Sequence, residues 1–283
     1  MDEAAGIPPV KLPSGRVVPK LGQGTWGMGE DPRKRRQEVA AIELGLEIGM
    51  TLIDTAEMYG NGGAEEIVGE AIEGRRDEVF IVSKVLPDNA NKVGMIASCE
   101  WSLARLGIEK LDLYLLHWRG RHPLEATLEG FQALLREGLI ESWGVSNFDT
   151  ADMEELVALN GGDQVQTDQV LYNLQRRGIE HELLPWCRER KIPIMAYSPF
   201  EQGRILRDPA LNSVAAGHRV SAASVALAWM LVQDDVITIP KSSNEAHMRE
   251  NEAALDLVLS QQDLELLDRA FPQPKQKRPL EML

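Results

Sequence analysis

Four side chains able to carry or transfer a proton stand where short apolar runs give way to loops. Asp54 ends the run Leu52-Ile-Asp54, and Tyr59 follows it by five residues. Lys84 closes Val79-Phe-Ile-Val-Ser-Lys84, and His117 closes Leu111-Asp-Leu-Tyr-Leu-Leu-His117. Carboxylates at such positions are seldom structural. If the runs are parallel strands of one barrel, a carboxylate, a phenol, an ammonium and an imidazole converge on the same rim, a set suited to acid–base chemistry.

The elements that must place them follow from the spacing. The steps of 25 residues from Tyr59 to Lys84 and 33 from Lys84 to His117 are long enough for crossover helices. From residue 20 onward, short β-rich runs alternate with helical patterns, the signature of parallel strands joined by helices. Eight strands are expected near Leu21-Gly24, Thr51-Asp54, Val79-Lys84, Leu111-His117, Ile140-Ser146, Gln164-Gln169, Ile192-Ser198 and Val236-Lys241. Helical patterns cover 36–48, 64–72, 90–106, 123–137, 151–159, 178–190 and 221–232, with a last one at 261–270. Eight units without a Pro/Gly-rich linker predict an α/β fold, a closed (β/α)8 barrel forming one domain over residues 1–283. Functional groups in such barrels lie at the C-terminal strand ends. Asp54, Lys84, His117, Ser146, Gln169, Ser198 and Lys241 all fall there.

The segment Gly22-Gln-Gly24-Thr-Trp-Gly27 satisfies GxGxxG, but a dinucleotide fingerprint needs its helix to begin within the glycines. Here Met28-Gly-Glu-Asp-Pro32 intervenes, and Asp31 with Pro32 marks a later helix start.

Taken together, these ordered motifs resemble the aldo-keto reductases, nicotinamide-dependent carbonyl reductases built on a (β/α)8 barrel with an Asp, Tyr, Lys, His active site. The resemblance runs from an N-terminal hairpin pattern, Val10 to Pro19, to Glu250-Asn251. It implies that Tyr59 protonates the alkoxide left by hydride transfer. A free tyrosine's pKa of about 10 is high for that work, and the Lys84 ammonium is expected to lower it, with Asp54 holding Lys84 charged. His117 would polarise the substrate oxygen. Gly24, Thr25 and Trp26 would approach the nicotinamide beside Asp54, and Trp26, Met58 and Trp118 would border the substrate.

For the cofactor, the resemblance implies that Ser146, Asn147 and Gln169 bond the carboxamide and that Tyr197 stacks on the ring. Ser198 and Phe200 lead into a loop that in this family often turns glycine-rich at the pyrophosphate. This chain has Glu201-Gln-Gly203-Arg204 there, so Gln202, Gly203 or Arg204 would serve. Lys241, Ser242 and Ser243 would meet a 2'-phosphate, and Glu250 and Asn251 the adenine. That pattern favours NADPH. Where the family commonly has an Arg six residues after the lysine, this chain has His247.

The activity so implied is reduction of aldehydes, and of ketones, to alcohols. The segments Asp54-Thr-Ala-Glu-Met-Tyr59 and Leu115-Leu-His-Trp118 look most like bacterial reductases of small reactive aldehydes such as methylglyoxal. A sugar-aldehyde or polyol oxidoreductase is the rival enzyme, and a redox-sensing regulatory subunit the rival without turnover.

Composition narrows the partners. A net charge of −14 argues against nucleic acid, because phosphate backbones are met by clustered Lys and Arg. The one basic run, Arg33 to Arg36, reads as a solvated helix face. No apolar stretch approaches the ~20 residues of a membrane span, and Met1 to Gly6 lacks the features of a signal peptide. A cytoplasmic monomer acting on a small carbonyl compound is expected. Cys99 and Cys187 are isolated, and the five histidines are too scattered for a metal site, so no metal is expected. After the last helical pattern only Phe271 to Leu283 remain, a short tail that predicts an open pocket bounded by Trp26 and Trp118.

Overall fold

Strand residues that alternate between two faces need two different cores, and the computed structural model, which describes residues 6–283, has both. Met1–Ala5, part of the segment read above for a leader, lies outside the described residues. The inner core holds Leu52, Phe80, Val82, Leu113, Leu115, Met195, Ile237 and Ile239. Their outward neighbours, such as Ile53, Ile81, Tyr114, Val145 and Ile194, pack under the helices in a second cluster.

The hairpin pattern folds as β1 (Pro9–Lys11) paired antiparallel with β2 (Val17–Pro19). Its buried Val10, Leu12 and Val18 join the inner core and close the lower end of the barrel. The barrel strands are β3 (Gln23–Gly24), β4 (Leu52–Asp54), β5 (Phe80–Val85), β6 (Leu113–Leu116), β7 (Trp143–Ser146), β8 (Asp168–Leu171), β9 (Ile194–Tyr197) and β10 (Val236–Thr238). Each pairs in parallel with its neighbour in chain order. Parallel bridges Leu21↔Thr238 and Gly24↔Lys241 join the last strand to the first.

That closure explains the glycines of the GxGxxG segment. A Cβ on Gly24 would stand 2.8 Å from the Ile239 carbonyl oxygen, and one on Gly22 2.7 Å from Leu52 Cδ2. Both are small because backbones and core side chains come close where the barrel closes, not because a phosphate does. The first helix, α1 (Arg35–Ile48), begins only after a 3-10 turn over Pro32–Lys34, whose cap Asp31 accepts from the Arg33 N–H.

The remaining helices are α2 (Gly63–Ala71), α3 (Lys92–Leu106), α4 (Leu124–Glu137), α5 (Thr150–Ala158), α6 (Leu183–Glu189), α7 (Pro209–His218), α8 (Ala222–Leu231), α9 (Glu245–Ala253) and α10 (Gln261–Ala270). Three differ from the sequence expectation, among them α9, which no helical pattern above covers. The pattern at 178–190 splits into a 3-10 turn at Gly178–His181 and α6, because Pro185 supplies no N–H to the preceding turn and its ring would crowd the carbonyl four residues back. Helix α7 was not foreseen. Its start is nevertheless written in Asp208-Pro209, where the Asp208 carboxylate accepts from the N–H groups of Ala210 and Leu211.

The basic run lies on the surface, with Arg33 paired to Asp31 and Arg35 to Glu66 and Glu70. Among the described residues no single helix is long and apolar enough to cross a membrane. Helices α7 and α8 form an apolar pair bent by 92°, and α8 buries eight of its ten residues. Cys99 and Cys187 are buried free thiols.

Candidate active site

Lys84 enters the barrel from β5 and is fully buried, so its three ammonium protons must all find acceptors. They do. Nζ donates to Asp54 Oδ2 at 2.8 Å, to the Thr55 carbonyl at 2.8 Å and to the Tyr59 hydroxyl at 3.1 Å. The second carboxylate oxygen of Asp54 accepts from Gln169 Nε2 at 2.7 Å. Residues from β4, β5 and β8 thus form one polar layer directly above the apolar inner core.

Burial alone would lower the Lys84 pKa, but Asp54 and then Tyr59 outweigh it and hold the ammonium above its ordinary range. Burial pushes Asp54 up, against the pull of Lys84 and the bonds from Lys84 and Gln169. For Tyr59 the outcome corrects the sequence expectation. Lys84 does draw the phenol pKa down, yet burial pushes it up by more, so the hydroxyl sits above its ordinary value. His117 follows β6, with its ring centroid 5.7 Å from that of Tyr59. Burial and then the Lys84 charge push its pKa down to about 3, leaving a neutral imidazole. Its Nδ1 is buried without a hydrogen-bond partner.

Around the rim of this layer, Ser146 Oγ donates to the Gln169 carbonyl at 2.8 Å, and Asn147 Nδ2 donates to the His117 carbonyl and to Ser146 Oγ, each at 3.1 Å. The Tyr197 hydroxyl donates to Asn147 Oδ1 at 3.0 Å. Ser146, Asn147, Gln169 and Tyr197 are therefore one connected cluster. Gln169 Oε1 accepts no protein hydrogen bond among the described residues and is the cluster's open acceptor.

The large side chains at the mouth are only partly covered. Trp26 is 58% exposed and Met58 41% exposed, whereas Trp118 is half-buried against His117 at 4.9 Å between ring centroids. Thr25 is fixed under them, its hydroxyl donating to the Asp54 carbonyl at 3.0 Å. The loop carrying Trp26 lies on the Tyr59 turn through glycine-to-glycine contact. A Cβ on Gly29 would come 2.2 Å from the Gly63 carbonyl carbon.

Beyond β9, Ser198 and Gln202 flank Phe200 and Glu201, and Gly203 ends a 3-10 turn at Glu201–Gly203. Ser198, Glu201 and Gln202 all carry a positive φ, at 54°, 50° and 54°. Beyond β10, Lys241 makes no ion pair among the described residues, and its nearest polar contact is the Ser243 hydroxyl at 3.4 Å. Ser242 Oγ accepts from the Asn244 N–H at 3.4 Å and donates to the Asn244 carbonyl at 2.9 Å. His247 and Glu250 lie on α9 with Asn251, which is buried, and His247 Nδ1 faces the Asn244 amide at 3.0 Å. Arg249 pairs with Glu252 instead of turning to Lys241. No group of three His, Cys, Asp or Glu side chains suited to a metal ion occurs among the described residues.

Two features were not legible in the sequence. The first is Glu201, a fully buried carboxylate held by Asn173, Arg176 and Arg204. The second is Asp168, on the outward face of β8, whose Oδ2 has no partner and whose pKa burial pushes well above the carboxylate range. An acid raised in the folded state contributes stability that is complete below its unfolded pKa and is lost as pH rises through the folded one. Asp168→Asn is therefore expected to stabilise the protein at neutral pH by about 1 kcal/mol, or roughly 2 °C in melting temperature. The gain should grow from about pH 4 upward. Thermal melts of both proteins across pH check it, and a gain independent of pH would mean that Asp168 is already ionised.

The aldo/keto reductase family model matches residues 20–271. The chain is 51% identical over 271 residues to methylglyoxal reductase YeaE of Escherichia coli, covering 94% of this chain and 95% of that protein. It is 34% identical over 262 residues to the glyoxal reductase of Bacillus subtilis, covering 92% and 91%. An aldo/keto reductase from Klebsiella pneumoniae, solved with NADP and acetate, superposes with a TM-score of 0.95 at 46% identity over 99% of this chain and all of that one. An aldo-keto reductase from Klebsiella pneumoniae solved with NADPH gives 0.96 at the same identity and coverage. A family match this long, on a barrel whose rim carries Asp54, Lys84 and Tyr59 in one bonded layer with the His117 ring beside them, makes this chain a member of the aldo/keto reductase family.

Proposed function

We propose that the protein reduces small reactive aldehydes, methylglyoxal among them, and ketones to alcohols with NADPH. The observation that carries the reading is the Tyr59 hydroxyl, set at the barrel mouth 3.1 Å from a fully buried ammonium. The similarity to methylglyoxal and glyoxal reductases and to NADP- and NADPH-bound structures supports the choice of substrate and cofactor.

The residues present fit the cofactor. Trp26 and Met58 leave apolar surface uncovered beside the buried polar layer, Gln169 Oε1 is an open acceptor for a carboxamide N–H, and the Lys241 ammonium has no carboxylate partner. Ser146, Asn147, Gln169 and Tyr197 would hold the nicotinamide, with Gly24, Thr25, Trp26 and Asp54 at its edge. Ser198, Phe200, Gln202 and Gly203 would follow the pyrophosphate, and Lys241, Ser242, Ser243, His247, Glu250 and Asn251 the adenosine end. The bound cofactor supplies a hydride to the carbonyl carbon.

The protein's part is the proton. Tyr59, kept protonated by burial, donates it to the developing alkoxide. His117, kept neutral, donates a hydrogen bond to the same oxygen without adding a second cation beside Lys84. Trp26, Met58 and Trp118 would border the carbonyl compound. The reading takes residues 1–283 as one domain and the enzyme as a cytoplasmic monomer, in keeping with its negative charge.

NADPH consumption over a panel of methylglyoxal, simple aldehydes and sugar aldehydes, with EDTA as control, tests the proposal. Turnover with none of them would favour a regulatory role, and a preference for sugar aldehydes the polyol-type rival. Lys241→Ala is expected to weaken NADPH binding by about 10- to 100-fold and NADH binding little, since a charged hydrogen-bonded contact contributes about 1.5–3 kcal/mol. Fluorescence titration with both cofactors measures it. An equal loss for both would place the 2'-phosphate elsewhere.

A further inference from the structure

The loop after β9 is strained and its strain is opposed from one direction. Ser198, Glu201 and Gln202 occupy left-handed backbone conformations that side chains other than glycine adopt at a cost. What holds them is the Glu201 carboxylate. Its Oε2 accepts from Asn173 Nδ2 at 3.0 Å, and its Oε1 accepts from Arg176 Nε at 2.9 Å, Arg176 Nη2 at 2.7 Å and Arg204 Nη2 at 2.9 Å.

Arg176 has one arm left. Its Nη1 reaches Glu281 Oε1 at 2.6 Å, so a single guanidinium grips both this loop and the segment that follows α10. That segment is otherwise tied by Lys277 to Glu182 at 2.7 Å and by the buried contact of Arg177 Nη1 with the Phe271 carbonyl at 2.7 Å. Past Glu281 the backbone amide of Leu283 lies against the Tyr197 hydroxyl, on the barrel rim.

We propose that Arg176 is a positioning residue that couples the 271–283 segment to the loop after β9, so that docking of this segment retains bound cofactor. The inference rests on the functional reading above, in which Tyr197 meets the nicotinamide and the Ser198–Gly203 loop the pyrophosphate. Seating the segment fixes Arg176, Arg176 fixes Glu201, and Glu201 fixes the backbone that faces the cofactor.

Glu281→Gln cuts the coupling without orphaning a buried charge, because Arg176 keeps Glu201 and Glu281 is itself half-exposed. A partly exposed ion pair contributes up to about 1 kcal/mol, so NADPH should dissociate about fivefold faster from the variant in stopped-flow fluorescence. The single-turnover hydride step at saturating cofactor should stay within about twofold of the parent. Arg176→Lys should release cofactor at least as fast, because a point-charge ammonium cannot span two carboxylates as a forked guanidinium does. A role in folding alone would instead lower the melting temperature and slow the hydride step without a selective change in release. Unchanged release from Glu281→Gln overturns the inference while leaving the functional reading intact. Failure of the parent protein to bind NADPH overturns both.

Discussion

Tyr59→Phe is expected to lower aldehyde reduction by about 10²- to 10⁴-fold, the usual cost of removing a general acid, with NADPH affinity nearly unchanged. The substitution removes one oxygen and little else. Phenylalanine keeps the edge-on packing against His117, and Lys84 keeps Asp54 and the Thr55 carbonyl as acceptors. Because burial raises the Tyr59 pKa, the acid form persists across the neutral range. Reduction by the parent should therefore be level through neutral pH and fall only on the alkaline side, as the phenol begins to ionise. Steady-state turnover and cofactor titration of the variant decide the matter. Near-normal turnover would mean that the proton arrives from another group.

Lys84→Met should damage both stability and turnover. It leaves the Asp54 carboxylate, 2% exposed, with Gln169 as its remaining side-chain donor, and breaking one half of a buried pair costs about 3–5 kcal/mol. With the ammonium gone, only the Gln169 bond opposes burial, and the Asp54 pKa rises further. The Asp54 contribution to the variant's stability should then be complete below the unfolded carboxylate pKa of about 3.9 and be lost as pH rises through the folded value. The alkaline limb of any residual activity should also move higher, since Lys84 no longer draws the phenol down. The double variant Asp54→Asn/Lys84→Met removes both charges and should recover most of the stability but none of the rate. Denaturant unfolding of the single and double variants separates the two effects. Parent-like stability of Lys84→Met would show that Asp54 is neutral in the fold.

The strand-end positions of Asp54, Lys84 and His117 were legible because a barrel strand alternates strictly, so each polar residue two steps above an apolar inner one had to point inward at the rim. The eight strands could be placed because β-rich runs alternate with helical patterns along the chain. What escaped the sequence depended on contacts between distant segments. Nothing in Phe200-Glu201-Gln202 tells that the Glu201 side chain turns inward onto Arg176, or that this tie holds non-glycine residues at positive φ where the family often has a glycine-rich loop. Length alone described the 271–283 segment as short, whereas its path is set by Arg176 and Glu182, a hundred residues away. The sign of the Tyr59 shift was missed because the sequence shows the neighbouring ammonium but not the depth at which the phenol lies. The break at Pro185 and the start of α7 at Asp208-Pro209 were, by contrast, available in the sequence and went unread.

The polar layer also guards the fold against a wrong version of itself. Sliding β4 by one residue against its neighbours would turn Ile53 inward and Asp54 outward, among Ile42, Leu46 and Ile67 beneath α1 and α2. There the carboxylate would meet no ammonium, and Lys84 on β5 would be left as an unmatched charge in the barrel. Either stranded ion costs several kcal/mol, a large part of what holds a typical domain folded. A misregistered barrel is thus disfavoured by the same residues to which the proposed reaction is assigned, and neutral substitutions there would lose proofreading of strand alignment.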